Sequence, residues 1–78
     1  MELEFRDQNG TFHFSIKGEL AEYFFKFLMN EKRLTIEEWG PGHNRCKGFI
    51  NRSTEIIAGK NDFIGFFINP GDYVKIIR

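Results

Sequence analysis

The side chains that could do chemistry are few and scattered. His43 and Cys46 form an H-x-x-C, and His13 is the only other soft ligand in the chain. A structural zinc site is tetrahedral and draws its ligands as two close pairs, which this inventory does not supply. The spacing predicts His43 in a loop and Cys46 as a small buried strand residue, with no metal and no cofactor. For nucleophilic catalysis the available parts are Ser15, Ser53, Cys46 and the two histidines, without a Gly-x-Ser-x-Gly elbow around either serine. Glu37 and Glu38 are adjacent, so on a strand they face opposite ways and do not cooperate as an acid–base pair. Gly59-Lys60 lacks the earlier glycine and the following Ser or Thr of a phosphate loop, and reads as a turn. These residues predict a protein that binds rather than catalyses, with no catalytic site.

One cluster has the composition of a binding face. On a strand, Arg45, Lys47, Phe49 and Asn51 share a side, with Arg52 beside them. An exposed Phe49 among these cations would stack a base while the cations meet phosphate. Lys47-Gly48-Phe49 resembles the opening of the RNA-binding strand motif of RNA-recognition and cold-shock domains, where a basic residue, a Gly and an aromatic begin a stacking platform. The resemblance spans three residues, and Ile50 and Asn51 stand where that family has a small residue and a second aromatic. The alternative function, from the basic and aromatic face itself, is single-stranded nucleic-acid binding through Arg45, Lys47, Phe49 and Arg52.

The element that must position everything else is Glu19–Lys32, ELAEYFFKFLMNEK. At a helical period Tyr23, Phe27, Leu20, Phe24, Leu28, Ala21, Phe25 and Met29 follow one another around one arc. That arc is about twice the ~100° stripe a helix needs to sit on one core face. With Leu20, Phe24, Phe27 and Leu28 in the core, Tyr23 is left at one edge and Phe25 and Met29 at the other. Exposed apolar edges of this composition mark interaction sites. The favoured function is a small intracellular protein-binding module, a regulator or inhibitor of another protein or a homodimer. Its expected contact residues are Tyr23, Phe25 and Met29, joined by Trp39.

Around the helix the chain reads as strands. Leu3 and Phe5 alternate with polar residues, as do Phe12, Phe14 and Ile16, with Asn9-Gly10 between them favouring a type I′ hairpin turn. That register opposes Phe5 to Phe14, Leu3 to Ile16 and Glu2 to Lys17. Gly18 is the expected N-cap, and Lys32 and Arg33 fall in the expected last turn. Residues 34–39 suit a strand or a one-turn helix opened by a capping box, the strand being favoured. A Gly40-Pro41-Gly42 loop leads to a strand at 45–51, then a short strand at 55–58 and a turn at 59–62. Phe63–Ile68 is almost continuously apolar, as a central strand covered on both sides would be. Asn69-Pro70-Gly71-Asp72 suits a type II turn before a last strand at 73–77.

The expected fold is therefore α+β: an antiparallel sheet made of a hairpin, then a helix, then three to four further strands, with one amphipathic helix on a face. Residues 1–78 form a single small domain. Eleven basic and eleven acidic side chains cancel, with the excess of cations confined to residues 40–60. This is far from a strongly basic nucleic-acid domain. One cysteine, no signal-peptide pattern and no apolar run near the ~20 residues of a membrane span predict a cytoplasmic protein without membrane contact.

Overall fold

The computed structural model describes residues 1–38, 45–58 and 64–78. Residues 39–44 and 59–63 lie outside the described residues, and with them Trp39, Gly40-Pro41-Gly42, His43 and the turn expected at Gly59-Lys60. Seven strands and one helix follow in the order β1 (Glu2–Arg6), β2 (Phe12–Lys17), α1 (Gly18–Asn30), β3 (Leu34–Glu38), β4 (Arg45–Ile50), β5 (Thr54–Ala58), β6 (Ile64–Ile68) and β7 (Tyr73–Ile77). Five strands make an antiparallel sheet in the order β2-β1-β7-β4-β3, while β5 and β6 pair only with each other. The molecule is an α+β domain with its helix packed on the sheet. Segment 34–38 is a strand, and no described helix is long and apolar enough to cross a membrane.

The hairpin keeps the register its alternation demands: Phe5 opposes Phe14, Leu3 opposes Ile16 and Glu2 opposes Lys17. Its turn is not type I′, because Asn9 keeps a negative φ and only Gly10 is positive, at 86°. The Asp7 carboxylate accepts hydrogen bonds from the Asn9 and Thr11 amides, both at 2.8 Å. The Gly10 amide donates to the Asp7 carbonyl at 3.0 Å. These bonds fix a three-residue loop closed by a left-handed glycine. The extra loop residue is absorbed by a register shift between Phe5 and Arg6. The Thr11 amide, with that of Asn9 behind it, also holds the Asp7 carboxyl below its ordinary range.

The central strand is β7, bonded to β1 and β4. The apolar run at 63–68 does not take that place. Within its described residues, β6 turns Ile68 and half-buried Phe66 inward and exposes Phe67. A continuously apolar strand and a ribbon with an apolar outer face read alike in sequence. The turn before β7 is type II, with Gly71 at φ 89° and the Asp72 amide donating to the Asn69 carbonyl at 3.1 Å. The buried Asp72 carboxylate accepts the Asn69 amide at 2.9 Å.

Helix α1 connects β2 at one edge to β3 at the other, and so must cross the inner face of the sheet. It buries Ala21, Phe24 and Leu28, with Phe25 and Phe27 packed half-buried on either side. Leu20, expected in the core, is exposed although it lies between Phe27 and Phe24 around the helix; it sits in the first turn, at the end of the buried stripe. The helix starts after Lys17 rather than after a Gly18 cap, and the Gly18 amide donates to the Met1 carbonyl. It stops at Asn30, so Lys32 and Arg33 lie just beyond the last turn. There the Lys32 amide donates to the Met29 carbonyl and the Arg33 amide to the Leu28 carbonyl, a Schellman closure with Lys32 at φ 53°. Phe14 joins the layers: its ring lies 4.6 Å from Phe5 and 3.8 Å from Phe66. The ribbon therefore shares the inner face with the helix.

Candidate binding surfaces

The first surface is the seam between α1 and the β5–β6 ribbon. In the ribbon Thr54 opposes Ile68 and Ile56 opposes Phe66 on the inner side. The outer side then carries Glu55 opposite Phe67 and Ile57 opposite Gly65. Ile57 is 51% exposed and Phe67 61%. On the helix side Tyr23 is 65% exposed, with its ring edge-on to that of buried Phe24. Tyr23, Phe24, Phe27, Glu55 and Ile57 line one open groove of about 220 Å³. Its walls are apolar except for the Glu55 carboxylate and the Tyr23 hydroxyl.

Arg33 holds the far end of this seam together. Its guanidinium donates to the Thr54 hydroxyl at 2.9 Å and the Ser53 carbonyl at 3.2 Å, and it sits 6.0 Å from the centre of the Phe27 ring. The helix end is thus tied to the start of β5. Tyr23 alone of the expected contact residues lies in the groove. Phe25 is half-buried against the core, and Met29, 38% exposed, lies on the opposite helix edge. Trp39 lies outside the described residues. Sequence reasoning missed Ile57 and Phe67, although the doublets Ile56-Ile57 and Phe66-Phe67 carried a signal. On a strand one member of each doublet must face outward.

The second surface is the outer face of the five-stranded sheet. At its centre β7 and β4 place Tyr73 opposite Phe49, Lys75 opposite Lys47 and Ile77 opposite Arg45. The Phe49 and Tyr73 rings meet edge to face, 5.0 Å apart at 77°. The Lys47 ammonium lies 4.1 Å from the Tyr73 ring centre and 5.2 Å from that of Phe49. Such a cation over two ring faces is held by their quadrupoles. Of the expected nucleic-acid residues, Arg45, Lys47 and Phe49 share this face. Arg52 is exposed beyond the end of β4. Asn51 is diverted: its side chain donates to the Lys32 carbonyl at 3.2 Å and accepts the Thr35 hydroxyl at 2.9 Å.

Among the described residues, those weighed for catalysis do not assemble. Cys46 is buried in the core, and Ser15 and Ser53 are exposed on separate elements. His13 lies 4.0 Å from Asp7 beside the hairpin loop. Among the described residues no three His, Cys, Asp or Glu side chains gather as metal ligands. No family model, curated protein or solved structure matches the chain, so the two surfaces are read from their chemistry.

Proposed function

We propose that this protein is a protein-binding module that receives an apolar partner segment in the seam between α1 and the ribbon. The observation that carries this reading is the exposure of Tyr23 and Ile57 on one groove, with Phe67 exposed opposite Glu55 on the same ribbon face, while Ile56, Phe24 and Ile68 fill the core. Large apolar side chains left in water at a seam gain most from a partner that covers them. Aromatic residues are also the types enriched at interface centres. The lone Glu55 carboxylate favours a partner that brings a cation. A second copy of this chain would instead carry another Glu55 towards the contact, which weighs against the homodimer. The lone Cys46 fits an intracellular setting.

Panning a random peptide library against the folded domain tests this reading. The seam should select peptides that combine aromatic or aliphatic anchors with Lys or Arg. Their affinity should drop by about thirtyfold or more for Ile57→Lys, the size of a hot-spot loss. Peptides that bind Ile57→Lys as tightly as the parent protein would place the contact elsewhere.

A further inference from the structure

The centre of the outer sheet face has a chemistry of its own, separate from the seam. Its two middle strands carry a row of two rings, a row of two lysines and a row with Ile77 and Arg45, and no carboxylate. Glu2 and Glu4 stand on β1 and Glu37 on β3, at the rim. Glu4 is bridged to Arg6 and opposes Lys75, and Glu37 opposes Lys47. Lys47 and Lys75 face each other directly, and like charges so placed destabilise a sheet. Glu4 and Glu37, on the far sides of the pair, offset part of that repulsion, and an anion laid over the strip would offset more of it.

Rows on one face of a strand are about 7 Å apart, comparable with the reach from a base to its neighbouring phosphate. Further along the ring row, Arg6 opposes Phe12, and its guanidinium sits 5.7 Å from the centre of that exposed ring. Aromatic and cationic groups thus extend across four strands, on an open face that would not enclose a single nucleotide. We infer that this face binds single-stranded nucleic acid, with a base stacked at Tyr73 and Phe49 and phosphates at Lys47, Lys75 and Arg45. On binding, the Lys47 ammonium leaves the Tyr73 ring for a phosphate, and the base takes the ring face it vacates.

Fluorescence polarisation of a fluorescein-labelled oligothymidylate of about ten nucleotides, within the range of site sizes for such faces, provides the test. With three phosphates neutralised, affinity should fall about twentyfold between 50 and 200 mM salt. In the Arg45→Gln/Lys47→Gln variant the same salt step should cost only about threefold. Both changed side chains reach solvent, so this variant tests binding without touching the core. Tyr73→Ser should weaken binding about tenfold through lost stacking, and the duplex of the same sequence should bind more weakly than the strand. No binding at low salt with protein up to about 100 µM, the weak end of non-specific affinities, would overturn the inference. So would an unchanged salt slope in the double variant, a duplex bound as tightly as the strand, or thymidine monophosphate competing as well as an equal concentration of strand.

Discussion

Phe5→Ala is expected to remove about 3–5 kcal/mol of folding stability, the range for emptying a buried phenylalanine site. A chain of this length holds about 4–12 kcal/mol in total, so the variant loses a large share of its stability and, at the lower end of that range, is unfolded at room temperature. Phe5 is 1% exposed and begins the stack that runs through Phe14 to Phe66. Deleting its ring opens a cavity where hairpin, sheet and ribbon meet. A small domain has few other contacts between its layers with which to close the gap. Urea unfolding followed by circular dichroism measures the loss directly. Phe5→Leu keeps most of the volume and gives up the stacked pair, so its cost should stay near about 1–1.5 kcal/mol. A Phe5→Ala loss below about 1 kcal/mol would mean that the three-ring stack does not join the layers.

Gly48→Ala is the second large effect, and its cause is close approach. A Cβ at Gly48 would lie 2.7 Å from Leu34 Cδ1 and 3.1 Å from the Thr35 carbonyl oxygen. Leu34 is buried, so its side chain has little room to swing away, and the carbonyl belongs to β3, the strand paired with β4. Overpacking of this kind costs about 1–3 kcal/mol. Leu34→Val removes the Cδ atoms and relieves the worst contact. The added cost of Gly48→Ala should therefore be smaller in the Leu34→Val background, with a coupling above about 0.5 kcal/mol. Strict additivity in thermal or urea unfolding would show that Leu34 is not what Gly48 accommodates.

How much of this was legible in the sequence differs from element to element. The hairpin register was, because alternation on both strands ties Phe5 to Phe14 whatever turn joins them. The turn itself was misread, since Asn9-Gly10 favours type I′ locally and the Asp7 carboxylate stabilises a three-residue loop instead. The helix was legible as an element with surplus apolar surface. Its centre was not, because an arc as wide as Tyr23 to Met29 admits several buried stripes. Packing chose Ala21, Phe24 and Leu28 and left Leu20 out. For the central strand, hydrophobicity was the wrong guide. The half-polar YVKII lies in the middle of the sheet, where one face is core and the other carries Tyr73 and Lys75.

The candidate surfaces divide in the same way. Tyr23 and the row of Arg45, Lys47 and Phe49 followed from period alone. Their partners did not, since Tyr73 and Lys75 arrive through the pairing of β4 with β7, far apart in the chain, and Ile57 reaches Tyr23 only where the ribbon lies beside the helix. Each surface became whole only with the topology.

The urea-unfolding free energy of Ile57→Lys, set beside that of Ile56→Lys, tests the exposed seam most directly. Ile56 is 0% exposed and Ile57 51%, one residue apart on the same strand. An open seam predicts that Ile57→Lys stays within about 0.5 kcal/mol of the parent protein, as surface substitutions do. Ile56→Lys should unfold the domain by forcing a charge into the core. A loss of about 2 kcal/mol or more for Ile57→Lys would make Ile57 a core residue and leave no seam for a partner to fill.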